Sequence, residues 1–286
     1  MPLSLRKAIL STVSYADIFD YPLTAEEIWR WIIKYKNITM QQCNKEIKKN
    51  NLIQFQSGYF FLKHRKEIID LRKAREKYSL EKLKTAQEIA NLLKFIPSVK
   101  LVGITGALAM NNAKEEDDID LFIITSGRLL WTTRCLSTLL VEITGRRRHP
   151  GESNINNKIC LNMFVDEEYL EVFKKEQDLF SAHEVIQMKP LFERDNTYKK
   201  FLRRNSWVRK YLSNATESIK YKVLSNKSEN KTPNLLENIL RQFQLWYMRN
   251  RKTTEVIKEG VIRFHPHDAR VWVMQKYRER FKKFKL

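Results

Sequence analysis

The chain is poor in the features that mark several functional classes. Its three cysteines, Cys43, Cys135 and Cys160, stand far apart in apolar surroundings. No CxxC spacing occurs, so neither a zinc site nor a disulfide framework is indicated. Reduced, mostly buried thiols in a cytoplasmic protein are the expectation. No apolar run approaches the roughly 20 residues of a membrane span, and no membrane partner is expected. Near the N-terminus, Arg6 and Lys7 adjoin a short apolar stretch that Asp17 and Asp20 interrupt, unlike a secretory signal. Internal repeats, heptads, a Walker-A sequence and a full dinucleotide fingerprint are also missing. Gly103 and Gly106 alone do not make the last of these.

Acidic residues are outnumbered, 33 against 53 Lys plus Arg, for a net charge of +20. Such a field attracts polyanions such as nucleic acid or nucleotides. The abundance of Lys, Asn and Ile fits a compositional bias equally well. With 43% hydrophobic and 30% charged residues among 286, the profile is globular. The length allows about two or three compact units.

One stretch carries chemistry. Val102-Gly103-Ile104-Thr105-Gly106-Ala107-Leu108-Ala109 leads through a polar loop to Asp118-Ile119-Asp120-Leu121-Phe122-Ile123-Ile124. This reads as strand, tight turn, helix, acidic loop, strand. Alternate strand residues share a face, so Asp118 and Asp120 present two carboxylates on one side. They follow a glycine turn whose backbone N–H groups can approach phosphate. Paired carboxylates beside a phosphate cradle suit divalent-metal phosphoryl transfer. The plain alternative is that one aspartate caps a turn and the other is solvated.

At these residues the sequence resembles the nucleotidyltransferase superfamily typified by DNA polymerase beta and the minimal bacterial nucleotidyltransferases. The shared signature is a Gly-Ser pair at a helix start, about a dozen residues, then Asp-x-Asp in an apolar strand. Gly106-Ala107 and Asp118-Ile119-Asp120 fill these elements. The resemblance implies an α+β fold with a mixed β-sheet core flanked by helices. It implies Mg2+ or Mn2+ held by Asp118 and Asp120, and a nucleoside triphosphate substrate at Thr105, Gly106 and Ala107. An acceptor hydroxyl would then attack the α-phosphate and pyrophosphate would depart. Arg146 and Arg147, in the run Arg146-Arg147-Arg148, are candidates to hold the triphosphate or a nucleic-acid backbone. They read equally well as solvated loop charges.

Two positions depart from the family pattern. Ala107 replaces the usual serine, leaving Thr105 to offer a hydroxyl from another position. The third family carboxylate belongs on a later strand, and the best candidate is Lys158–Val165. Alternation there makes Cys160, Asn162 and Phe164 share a face, and the family pattern puts the carboxylate at Asn162. An amide oxygen can ligate a hard cation, but it carries no charge and accepts protons poorly. Asp166 and Glu184 are the substitutes. Transfer weakened by this loss is one expectation. The alternatives are a catalytically degenerate, nucleotide-sensing or nucleic-acid-binding regulator, and an interaction module with a fixed partner. The acceptor stays open among nucleic acid, protein side chain, antibiotic and small metabolite.

The organisation expected is a winged-helix-like domain over 1–65, a connector helix over 66–97, a nucleotidyltransferase-like core over 98–205 and a C-terminal helical region over 206–286 with a polar linker at 213–233. The winged-helix reading rests on three helices followed by a hairpin around Gln56-Ser57-Gly58. Its third helix turns Gln41, Gln42, Asn44, Lys45, Lys48 and Lys49 outward, toward nucleic acid or toward solvent. From Asp166 to Asn205 the expectation is helix with a gap near Asp195-Asn196. Arg134 reads as reaching the cleft or pairing locally. His183-Glu184 begins like a zinc-protease helix, but Gln187 stands where the second histidine is required. His265-Pro266-His267 is too isolated for a metal site.

Overall fold

Side-chain caps fix the first helices. In the computed structural model, which describes residues 3–216, 235–249, 256–264 and 269–284, helix α1 (Leu5–Asp17) starts where the Ser4 hydroxyl accepts from Lys7 N–H. Helices α2 (Ala25–Arg30) and α3 (Met40–Ile47) each open with a capping box, Thr24 with Glu27 and Thr39 with Gln42. Each box satisfies two backbone donors that a helix start leaves open. Strands β1 (Ile53–Gln56) and β2 (Tyr59–Leu62) then pair across Ser57-Gly58. Both turn residues have positive φ, the geometry of a two-residue hairpin. Helix α4 (Ile68–Leu93) follows.

The remaining elements are β3 (Val99–Ile104), α5 (Gly106–Ala109), β4 (Ile119–Thr125), α6 (Leu130–Ile143), β5 (Ile159–Asp166), α7 (Leu179–Gln187), β6 (Lys189–Glu193), α8 (Thr197–Arg204), α9 (Leu235–Met248), β7 (Val256–Lys258), β8 (Val261–Arg263) and α10 (Ala269–Lys283). Six of the described strands form one sheet in the order β6-β3-β4-β5-β8-β7. β4 and β5 run parallel and the other neighbours antiparallel, so the sheet is mixed. Helix and sheet together make the chain α+β. No described helix is long and apolar enough to cross a membrane.

The two sheet faces feed two apolar cores, as period-2 alternation requires. Val102, Ile104, Leu121, Ile123 and Phe164 pack on the α4 side with Ala86, Ile89 and Leu93. Leu101, Phe122, Ile124 and Val165 join the other core, which continues without a break through α7 into α1, α2 and α3. The N-terminal unit and the sheet therefore share apolar packing. Polar ties add to it: Arg75 donates to the Phe19 carbonyl at 2.9 Å and to Asn112 at 3.2 Å.

Two expectations need correction. The stretch from Asp166 to Asn205 is broken by more than a gap near Asp195-Asn196, because Lys189–Glu193 pairs with β3 as an edge strand. Pro190 is tolerated there because an edge residue can lack the ladder N–H. The C-terminal region is likewise not all helical, since β7 and β8 extend the sheet beyond β5. Most of the expected linker, 217–233, and His265-Pro266-His267 lie outside the described residues. Asn214–Thr216, at the linker's start, form a buried 3-10 turn.

Candidate functional site

Strand β4 aims the acidic pair. Ile119 and Leu121 are fully buried toward α4, which sends Asp120 out on the opposite face. Thr105 N–H donates to the Asp120 carbonyl at 3.3 Å, tying the strand to the glycine turn. Gly106 has φ +64°, a conformation that costs a β-carbon-bearing residue. Its α-carbon comes close to the site, since a β-carbon there would lie 3.8 Å from Asp120 Oδ2. The Glu184 carboxylate, on α7, lies close enough to the Gly106 N–H for that dipole to lower its pKa.

Asp118, Asp120 and Cys160 each bring a ligand atom into one cluster, all within 4.8 Å of one another. Cys160 lies opposite Asp120 in the parallel β4–β5 register, and its thiol donates to that carboxylate. Burial and then the Asp118 charge push Asp120 up to about 7, against the opposing pull of the Cys160 bond and Arg148. Glu184 adds to the same crowding of negative charge. Burial pushes Glu184 up to about 7 as well, against the pull of the Gly106 N–H. Burial, and then the charge of Asp120, raises the Cys160 thiol well above its ordinary range. Arg148 answers this charge directly: its Nη1 stands 2.6 Å from Asp118 Oδ2.

The third-ligand position differs from simple alternation. Asp120 pairs with Cys160 but Phe122 pairs with Met163, so β5 carries one extra residue at Leu161-Asn162. This bulge breaks the period of two. Asn162 and Met163 both line the cavity beside the site, while Phe164 turns into the core on the α4 side. Cys160, Asn162 and Phe164 therefore do not share a face. The thiol, rather than the Asn162 amide, stands in the cluster with the aspartates.

Of the three loop arginines only Arg148 reaches the site. Arg147 pairs with Ile159 as a short parallel bridge, and Arg148 N–H donates to the Ile159 carbonyl at 2.9 Å. Arg146 turns to Glu88 at 2.5 Å and Arg147 to Glu142 at 2.7 Å. Both are held away from the aspartates by these pairs. Arg134 is elsewhere too, bonded to Gln244 and set 4.8 Å from the Phe264 ring centroid. Asp166, at the far end of β5, accepts from Arg128 N–H at 2.6 Å and Glu168 N–H at 2.9 Å. It shapes a turn and is no substitute ligand. Thr105 lines the cavity and Ala107 is exposed at the start of α5.

A residue with no sequence signal holds the site's two loops. Lys82, on α4, is 1% exposed. Its Nζ donates to the Glu115 and Asp117 carbonyls at 2.9 and 2.7 Å and to Asn156 and Asn157 side chains at 2.9 and 3.2 Å. One ammonium thus clamps the segment before Asp118 to the segment before Cys160. Burial lowers its pKa, while the surrounding acids, Asp117 first, oppose that shift. His183 is structural: it stacks on Tyr15 at 4.3 Å and takes a bond from Gln187 at 3.0 Å.

The residues present fit a hard divalent cation in part. Two converging carboxylates with excess negative charge favour it, and the thiol beside them is a softer donor than such an ion prefers. A scan against protein-family models finds no match for this chain, and a search of curated proteins finds none either.

Proposed function

We propose that the chain is a nucleotidyltransferase-fold protein that moves a nucleoside monophosphate from a nucleoside triphosphate to a hydroxyl acceptor, with Mg2+ or Mn2+ as cofactor. The observation that carries this reading is the convergence of Asp118 and Asp120 beside the Gly106 turn, on adjoining strands of a mixed sheet. Asp118 and Asp120 would hold the cation. When bound, it supplies charge neutralisation at the phosphates. Arg148 is a donor that can exchange Asp118 for a phosphate oxygen, because guanidinium suits both anions. Thr105 and Ala107 flank the turn where the phosphates would lie. Arg146 and Arg147 have no part in this reading, being paired elsewhere. The free thiols fit a cytoplasmic setting.

Labelled nucleoside triphosphates incubated with the pure protein, Mg2+ or Mn2+ and cell extract test the proposal. Label transferred by the wild type and lost with Asp118→Ala/Asp120→Ala supports it. Transfer that persists in the double variant refutes the assigned site.

A second reading is favoured by one observation: a thiol and an amide, not a third carboxylate, stand on β5 beside the pair. A degenerate site that senses a nucleotide would need no third carboxylate. The winged-helix-like unit would then be the working part, with Gln41, Gln42 and Lys45 exposed on α3 and Lys48 and Lys49 exposed just past its end. Nucleic-acid binding that survives Asp118→Ala, without any metal-dependent transfer, distinguishes this reading.

A further inference from the structure

Beside the aspartates lies a cavity of about 130 Å³, bounded by the sheet and α7. Phe122, Met163, Phe180, Val185, Met188 and Phe201 make most of its wall apolar. Thr105, Asn162 and Glu184 line it as well. Thr105 N–H donates to the Asp120 main-chain carbonyl, and the Glu184 and Asp120 charges interact, so these two lining residues connect the cavity to the acidic pair, which lies just outside its wall. Glu171, Glu176, Ser181 and Arg263 also line it, Glu176 and Arg263 as an ion pair at 3.4 Å. A mainly apolar space with a small number of polar groups is the form of a small-molecule site. An apolar cavity of about 150 Å³ accepts a benzene ring, so this one has room for a body of that order. A phosphate-bearing nucleic-acid end would have to shed its hydration against these walls.

We propose that this cavity binds the acceptor, a compact molecule with one ring-sized apolar body and one hydroxyl, and that Glu184 takes the hydroxyl proton. The proposal rests on the nucleotidyl-transfer reading of the neighbouring aspartates. The acceptor oxygen forms a bond to the α-phosphorus. The bond from that phosphorus to the bridging oxygen breaks, and its electron pair leaves with pyrophosphate. The proton passes to the Glu184 carboxylate. Asn162 cannot take it, because an amide is a poor base. Glu184 is carried by α7, the helix that walls the cavity.

Benzyl alcohol is the probe, with toluene and glycerol as comparisons, measured by saturation-transfer NMR on the full chain. Mn2+ binding is measured on the same samples. The expected result is binding of benzyl alcohol, weaker binding of toluene and none of glycerol. Val185→Phe, which fills the cavity, should abolish benzyl alcohol binding and leave Mn2+ binding unchanged. Phe180→Trp narrows the same space from another wall, so a folding failure in one variant leaves the test standing. Glu184→Gln should keep both binding events and lower turnover of benzyl alcohol with a triphosphate about 100-fold, in kcat rather than KM, with loss of the acidic limb of the pH–rate profile. Mn2+ binding without benzyl alcohol binding, or benzyl alcohol binding that both filled variants retain, overturns the acceptor site alone. Absence of Mn2+ binding removes the underlying reading, and the acceptor role with it.

Discussion

Arg148 donates to Asp118 at 2.6 Å, so the chain supplies its own counter-charge to one member of the acidic pair. A cation bound at the pair competes with that guanidinium, and a phosphate arriving beside the cation offers the guanidinium a new acceptor. Arg148→Ala should therefore bind Mn2+ more tightly than the wild type, by about tenfold, because one unit of charge is removed from a half-buried site. The same variant should bind a nucleoside triphosphate about tenfold more weakly, since a charge-assisted bond is lost. Calorimetric titration of each ligand checks both directions.

The bulge in β5 leads to a second prediction. Cys160 stands in the cluster with Asp118 and Asp120, whereas Asn162 lines the neighbouring cavity. Cys160→Asp should tighten divalent-metal binding more than Asn162→Asp does, although plain alternation and the family pattern favour residue 162. Mn2+ affinities of the two variants, measured side by side, decide between the positions. A larger gain from Asn162→Asp would contradict the observed register.

Lys82 carries a third. Its ammonium makes four bonds to two loops from a fully buried position. Lys82→Met leaves two carbonyls and two amide oxygens without that donor. The expected cost is about 3 kcal/mol in unfolding free energy. Because Asp118 and Cys160 each follow one of the clamped loops, Mn2+ affinity should fall as well. Denaturant melts and metal titration of the one variant read both effects.

His183 gives a pH dependence with a definite sign. Burial lowers its pKa from 6.5 to about 3, so the folded chain keeps the ring neutral where the unfolded chain protonates it. The unfolded state then binds more protons between these values. The stability His183 contributes is complete above pH 6.5 and is lost progressively as pH falls toward 3, by at most about 1.4 kcal/mol per pH unit. Asp120, Glu184 and Asp166, whose pKa values burial raises, act in the opposite direction as pH falls from about 7 toward their ordinary range. The difference between the wild type and His183→Phe isolates the histidine. That difference should shrink or reverse as pH drops from 7 to 4, and a constant difference contradicts the assignment.

Local signals carried the parts of this fold that are set locally. The Ser57-Gly58 turn and the apolar strand that carries Asp120, with Asp118 just before it, are legible because short-range chemistry dictates them. The edge strand Lys189–Glu193 was not legible, because five residues with a proline carry no clear period and only pairing with β3 makes them a strand. The short strands β7 and β8 escaped for the same reason. At the site, the glycine turn and both aspartates could be read directly. Arg148 could not be singled out among three arginines, because a single bridge to Ile159 sets which of them faces the pair. The Cys160–Asn162 register depended on a bulge that alternation cannot anticipate. Lys82 reads as one more charge on a helix, and its burial is decided by two loops more than 30 residues away.

The central claim is a cation held jointly by Asp118 and Asp120. Titration of the full chain with Mn2+, followed by electron paramagnetic resonance at neutral pH, tests it most directly. The account predicts saturable binding by the wild type and its loss in Asp118→Asn/Asp120→Asn, with the variant's fold intact by circular dichroism. Equal Mn2+ binding by the two proteins, or none by the wild type, would contradict it.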